Sequence, residues 1–253
     1  MANRGAKLTS TLMSAVWIGL FGAAVPTVGQ AQNLETPALK SGDTWTYKET
    51  NEKGSNVWNQ VRVQITVDRA TSSSIYFSSK EDGSTQAPQQ HVTGRDWSRM
   101  RDVNGKETVV NRPLSFPLSA GKTWETEYKE LSPNKVHKSE QWSTKCVAVG
   151  NEAVEVPAGK FDALKVECEG KWTAELEPSR TVVQGARVSQ DNTTMVTNVQ
   201  KTSATTTSGR TYKAFWYVPK TRRWVKSIEE YYSNKGVRTE RHLSELESYK
   251  VGD

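Results

Sequence analysis

Both cysteines of this chain lie within one stretch, Glu140–Trp172, which constrains the fold more than any other part of the sequence. Its alternating apolar residues predict three consecutive strands. The turns between them are expected at Gly150-Asn151 and at Pro157-Ala158-Gly159. Alternation places Cys146 and Cys168 on faces that they share with apolar residues, so both can point into a core, as a disulfide between strands requires.

An even number of cysteines in an exported protein favours one structural disulfide, Cys146–Cys168. Two buried free thiols are the alternative. The cysteines are 22 residues apart and show neither a redox CxxC motif nor the spacing of metal ligands. We therefore predict no metal and no cofactor.

The first 31 residues have the pattern of a signal peptide. Arg4 and Lys7 form a basic start, Leu12–Val25 is apolar, and Gly29-Gln30-Ala31 supplies small residues for cleavage after Ala31. The apolar run is short for a membrane span, and no second one follows. There is no cysteine at the cleavage point, so we expect no lipid attachment there. We expect a periplasmic or secreted protein with no transmembrane anchor.

Removing residues 1–31 takes away two basic residues, leaving 32 Lys and Arg against 28 Asp and Glu, a charge of about +4. A charge of this size gives modest attraction to anionic surfaces. It is well below the charge density of a dedicated nucleic-acid binder. We therefore predict no nucleic-acid partner.

Short runs rich in Thr, Val, Tyr and Trp, separated by turn residues, continue through the chain. Val57–Val67 alternates cleanly, Asn104-Gly105 is a strong hairpin signal, and Tyr212–Tyr249 predicts a three-stranded meander. No segment of ten residues has convincing helical periodicity. The expected fold class is all-β, with antiparallel meanders forming a barrel or a strongly curved half-barrel.

Two segments share Leu, Gly, Thr and Trp at identical spacing, Leu39–Trp45 and Leu118–Trp124. We predict a single β domain over 32–253 that contains two pseudo-repeats, about 39–117 and 118–253. Similar turn chemistry arising by chance is the alternative. One barrel and two lobes are both compatible with the pattern. A polar Thr/Ser-rich insertion at about 173–210 predicts either a protruding hairpin or a mobile loop.

The C-terminal half resembles a pattern found in TapB-like and related exported bacterial β-proteins. The matching residues are Val154, Val156, Pro157, Ala158, Gly159, Phe161, Leu164, Val166, Tyr217, Pro219, Val225 and Lys226. The resemblance implies an antiparallel barrel or curved sheet in the cell envelope. It supplies no catalytic residues.

Residues for catalysis are hard to find. His91, His137 and His242 lack metal-ligand spacing, and no common nucleophile or phosphate-binding motif occurs. Ser132 and Lys135 fit S-x-x-K, but they lie in a predicted hairpin turn and not at a helix start. Acidic pairs such as Glu167 and Glu169 are routine on an exposed strand. An envelope hydrolase with an unrecognised carboxylate site is the alternative function.

Binding has two candidate features. Eight tryptophans follow the signal peptide, and a subset lining an open barrel mouth could hold a lipid tail or stack on a sugar. The second is a basic turn with flanking aromatics that could contact phosphate head groups or anionic glycans. Its residues are Trp216, Lys220, Arg222, Arg223, Trp224 and Lys226. A solvated hairpin tip is the alternative for this turn.

The sequence thus favours an exported, non-enzymatic β-protein that binds an apolar or amphiphilic ligand or acts as a cell-envelope interaction module. The partners compatible with it are a lipid, a glycan or another envelope component. The oligomeric state stays open.

Overall fold

The computed structural model describes residues 33–177, 179–188, 190–191, 194–203 and 205–252. Ten strands form one antiparallel sheet, and two further strand pairs form separate two-stranded sheets. The strands are β1 Thr44–Lys53, β2 Val57–Ala70, β3 Ser74–Glu81, β4 Gln89–Gly94, β5 Arg99–Val103, β6 Lys106–Asn111, β7 Thr123–Leu131, β8 His137–Val156, β9 Gly159–Leu176, β10 Ser179–Val188, β11 Thr194–Ser203, β12 Thr206–Val218, β13 Arg223–Ser233 and β14 Arg238–Lys250. A short 3-10 helix, Pro219–Thr221, joins β12 to β13.

The large sheet has the strand order β4-β3-β2-β1-β14-β13-β12-β9-β8-β7. The chain therefore starts near the middle of the sheet, runs out to one edge, and re-enters at the opposite edge to return strand by strand. Within the described residues the edge strands β4 and β7 do not pair, so the sheet is open. The all-β prediction is confirmed, and the architecture is consistent with the curved half-barrel alternative.

Curvature of the sheet is visible in side chains that reach across a neighbouring strand. The Tyr47 hydroxyl, on β1, donates to the Trp224 carbonyl on β13 at 2.6 Å. The Trp45 indole donates to the Thr221 carbonyl at 2.8 Å. Since β14 lies between β1 and β13, these bonds require the inner face of the sheet to be concave.

Residues 95–122, the crossover segment, connect the two edges and fill much of this inner face. Trp97, with a positive φ of 61°, packs edge-on against Trp45 with ring centroids 5.7 Å apart. Further along, Leu114 and Leu118 are fully buried, and Phe116 packs against Tyr217 at 5.4 Å. The interior of the half-barrel is therefore occupied by the protein's own side chains.

The two predicted repeat segments make matching hydrogen bonds. The Gly42 amide donates to Val67 and the Gly121 amide to Ala148, at 2.8 and 2.7 Å. In return, the Val67 amide donates to the Asp43 carbonyl, and the Ala148 amide donates to the Lys122 carbonyl. Both glycines have a positive φ, 90° and 82°, which explains why this position is glycine in each segment. The two segments thus share a turn geometry, and the division into pseudo-repeats at about 39–117 and 118–253 stays a prediction.

The long hairpin of β8 and β9 corrects one expectation. The turn predicted at Gly150-Asn151 is wrong, because β8 continues through it as one strand to Val156. A register shift between Ala148 and Gly150 absorbs the extra residue, so pairing with β9 resumes beyond it. The second predicted turn, at Pro157-Ala158-Gly159, is where the chain reverses between the two strands.

The disulfide prediction is confirmed. Cys146 and Cys168 lie directly opposite each other on β8 and β9, with a Cα–Cα distance of 4.0 Å. Both cysteines are buried on the inner face, beside the buried Trp124, which pairs with Cys146 from β7.

Two further expectations fall wholly or partly beyond the described residues. The signal peptide at 1–31 lies outside them. Of the 173–210 insertion, the ends belong to β9 and β12 of the large sheet, and the backbone of β10 and β11 pairs antiparallel as a separate two-stranded sheet. No helix in the described ranges is long and apolar enough to cross a membrane.

Removing the disulfide by Cys146→Ala/Cys168→Ala is expected to lower the free energy of unfolding by about 3 kcal/mol, because the bond closes a loop of 22 residues in the unfolded chain. Urea unfolding measures the change. The matched control is Thr126→Ala/Thr144→Ala, another directly paired couple on this sheet. A loss no larger than that of the control would contradict a stabilising role for the bond.

Candidate functional site

One end of the inner face is left open by the crossover segment and forms a groove of about 430 Å³. The groove lies between two strand ends, where β7 turns into β8 and where β13 turns into β14. Its lining residues are His137, Glu140, Trp142, Trp172, Thr207, Ser208, Tyr231, Tyr232, Ser233, Asn234, Thr239 and Glu240.

Three aromatic side chains on neighbouring strands form a ladder that leads into the groove. Tyr128, Trp142 and Trp172 are direct cross-strand partners on β7, β8 and β9. Tyr128 and Trp142 are nearly parallel, with centroids 6.2 Å apart, and Trp142 and Trp172 are stacked at 5.8 Å. Cross-strand pairing of aromatics stabilises a sheet, and it also fixes the orientation of the ring that ends the row.

The next position in the aromatic ladder is Gly209, which pairs with Trp172 on one side and Ser233 on the other. A Cβ atom here would lie 2.6 Å from the Trp172 indole nitrogen and 2.6 Å from the Tyr232 carbonyl oxygen. Only glycine therefore fits beneath the Trp172 ring. The row of cross-strand partners stops at Trp172, whose ring also packs at a tilt against His137 with centroids 6.0 Å apart, and both residues line the groove.

Polar groups fix the aromatic side chains and add hydrogen-bonding capacity. The Glu140 carboxylate accepts from the Trp142 indole at 2.8 Å and lies 2.5 Å from His137 Nδ1. Across the groove, Glu240 lies 3.8 Å from Lys53 Nζ and 3.7 Å from His242 Nε2. The groove thus combines indole surfaces with carboxylate, hydroxyl and amide groups.

A second cleft, of about 390 Å³, lies on the inner side of β1–β4. Ser79 Oγ and His91 Nε2 are 2.7 Å apart, and the imidazole stacks on Phe77 at 4.9 Å. Burial, reinforced by Arg223, lowers the pKa of His91. Burial raises the pKa of Glu49, which also lines this cleft, although nearby Arg223 opposes the shift.

The predicted basic turn does not form one cluster. Arg222 pairs with buried Asp43 at 3.2 Å and donates to the Gly252 carbonyl. Lys226 lies 3.7 Å from Glu245, and its Nζ is 5.6 Å from the Trp216 ring centroid. Lys220 is exposed. These residues occupy both faces of the sheet, and their role in ligand contact stays a prediction.

Arg223 points into the core and is 6% exposed. Its guanidinium packs against two indoles that meet edge to face, 3.9 Å from the Trp97 centroid and 4.3 Å from that of Trp224. Burial lowers its pKa, and the Tyr47 hydroxyl works against that shift. Trp224 thus contacts a cation of its own chain.

The groove residues Trp142 and Trp172 were identifiable in the sequence only as tryptophans near the cysteines. Because Trp142 is four residues before Cys146 and Trp172 four after Cys168, all four share the inner face. This even spacing from the cysteines was the signal in the sequence that the two tryptophans face inward. Among the described residues, no group of three His, Cys, Asp or Glu side chains could hold a metal ion.

Glu49→Gln is expected to raise the melting temperature by a few degrees at neutral pH and to change it little near pH 4. A raised carboxyl pKa favours the protonated form in the folded state. Its stabilisation is therefore complete below the ordinary value of 4.5 and is lost as the pH rises through the raised pKa. Thermal melts across this range test it, with exposed Glu107→Gln as control. A variant that is less stable at neutral pH would contradict the prediction, because the Glu49 carboxylate would then stabilise the folded protein through its attraction to Arg223.

Comparison with known proteins gives two structural matches and no family. No model of a protein family matches the chain, and no curated protein matches it. A predicted lipoprotein from Parabacteroides distasonis matches with a TM-score of 0.43 and 16% identity over 87% of this chain and 100% of the other. A predicted exported protein with a YmcC-like fold from Bacteroides fragilis matches with a TM-score of 0.36 and 15% identity, again over 87% and 100%. Neither likeness is strong enough to argue from, and the resemblance to TapB-like proteins stays a prediction.

Proposed function

We propose that this protein is an exported, non-enzymatic binding protein that holds an amphiphilic ligand by a ring-shaped polar part, such as a sugar unit, in the groove at the open end of the half-barrel. The observation that carries the proposal is the aromatic ladder ending at Gly209. Trp172, the last indole of the ladder, lines the open groove, whereas much of the remaining inner face is filled.

The chemistry of the groove supports a ligand that is neither purely apolar nor purely charged. Indole rings offer a flat apolar surface to the C–H face of a sugar ring. The Ser233 hydroxyl, the Asn234 amide and the Glu240 carboxylate line the same groove and can hydrogen-bond to ring hydroxyls. A few polar groups around an apolar surface are typical of small-molecule sites.

An exported location is supported by two features of the chain. Residues 1–31 have the pattern of a signal peptide, and the Cys146–Cys168 disulfide is a bond that persists in oxidising compartments. We therefore propose a periplasmic or secreted protein whose ligand is an envelope component.

The hydrolase alternative finds less support. Burial raises the pKa of Glu49, whereas the Lys213 ammonium lowers that of Glu229 against the effect of burial. Carboxyl groups shifted in opposite directions are a pattern of acid–base catalysis. However, Glu229 is paired with Lys213 at 2.8 Å and lines neither the groove nor the cleft that contains Glu49. The two carboxyl groups therefore share no described cavity.

Trp172→Ala is expected to weaken ligand binding about tenfold or more, because it removes the stacking surface at the end of the ladder. The probe is a panel of soluble envelope saccharides, including peptidoglycan fragments and lipopolysaccharide core oligosaccharides, measured by calorimetry. Trp58→Ala is the matched control, since Trp58 is 67% exposed outside the groove. Equal binding by Trp172→Ala, or no binding to any of the panel by the parent, would contradict the proposal.

A further inference from the structure

Large apolar side chains are exposed at one end of the sheet. Five of them expose 60 to 67% of their surface. They are Val57, Trp58, Leu131, Val136 and Val237. The other two exposed large apolar residues of the described chain, Val92 and Val149, lie within strands and not at turns.

The five residues belong to three turns, which we call the rim turns: 53–58 between β1 and β2, 131–138 between β7 and β8, and 233–238 between β13 and β14. Antiparallel pairing brings these turns to the same end of the sheet. The Gly54 amide donates to the Thr239 carbonyl at 2.8 Å, which links the first turn to the start of β14, directly after the third turn. His137 and Asn234 line the same groove, so the second and third turns flank it.

The rim turns are also basic. They contain Lys53, Lys135, Lys138, Lys235 and Arg238 and no aspartate or glutamate. Lys135, Lys138 and Lys235 are exposed. Arg238 pairs with Glu52, and Lys53 pairs with Glu240, two acidic residues that flank the turns. Glu177 is a further acidic residue beside the second rim turn, because its amide donates to the Val136 carbonyl. The tips therefore present apolar side chains together with cationic ones.

We propose that the rim turns dock onto the surface of an anionic phospholipid bilayer. Valine and leucine side chains gain free energy on entering the acyl boundary, and tryptophan favours the interface between head groups and tails. Lysines beside them attract anionic head groups. The apolar residues stand on three separate turns, each of which also contains at least one lysine. This suits insertion into a soft interface better than a flat, continuous protein contact.

Docking in this orientation places the groove at the membrane, since the second and third rim turns flank it. An amphiphilic molecule leaving the outer layer of the bilayer would meet the aromatic ladder first. The docking inference rests on the rim turns alone, however, and it holds whether or not the groove binds a saccharide.

The test is co-sedimentation of the exported protein with vesicles at low ionic strength. Vesicles of phosphatidylcholine are compared with vesicles containing one third phosphatidylglycerol. The protein is expected to bind the anionic vesicles and to bind neutral ones weakly. Lys135→Glu/Lys235→Glu is expected to reduce binding about tenfold or more. Val57→Ser/Trp58→Ser/Val237→Ser is expected to reduce it by a similar factor.

Two control variants make the result specific. Lys220→Glu reverses an exposed charge in the turn between β12 and β13, at the opposite end of the sheet, and Val149→Ser removes an exposed valine within a strand. Both are expected to bind like the parent, as is Trp172→Ala, which separates docking from groove binding. Circular dichroism melts establish that each variant is folded. The proposal is overturned if the parent protein does not bind vesicles or if folded rim variants bind as well as the parent. It is also overturned if Lys220→Glu loses more binding than the rim variants.

Discussion

The packing of the Arg223 guanidinium against the indoles of Trp97 and Trp224, whose rings also meet edge to face at 5.9 Å, is the contact on which the inner architecture depends. Trp97 belongs to the crossover segment and Trp224 to the sheet, so this cluster fastens the segment to the concave face. Arg223 Nε and Nη1 are buried without a hydrogen-bond partner in the described structure. The aromatic faces and the Tyr47 hydroxyl therefore carry much of the compensation for a buried charge.

This fastening divides the inner face into two regions with a polar band between them. Lys213 pairs with Glu229 at 2.8 Å, and His242, opposite Glu229 on β14, lies 2.6 Å from Asn51 on β1. On one side of the band lies the aromatic cage of Arg223. On the other, the sheet ends in the aromatic ladder, the groove and the rim turns. Packing at one end thus leaves the groove open at the other.

Alternation and turn residues in the sequence predicted the fold class, the Asn104-Gly105 hairpin, the C-terminal meander and the disulfide, because each depends on short-range pattern and on one covalent pair. The continuity of β8 through Gly150 could not be predicted in this way, since it depends on pairing with β9. Similarly, the inward direction of Arg223 depends on the crossover segment, which comes from more than a hundred residues earlier in the chain. The position of the Trp172 ring depends on the absence of a side chain at Gly209, which matters only once Trp172 is beside it.

Solvent accessibility of individual tryptophans tests most directly the claim that the inner face is filled at one end and open at the other. The protein would be labelled with 5-fluorotryptophan, its fluorine signals assigned by single Trp→Phe variants, and their broadening measured with a soluble gadolinium chelate. The signals of Trp45 and Trp97, which are 0% and 3% exposed, are predicted to stay sharp. Those of Trp142 and Trp172, in the groove, are predicted to broaden. Broadening of Trp97 to the same extent as Trp172 would contradict the account.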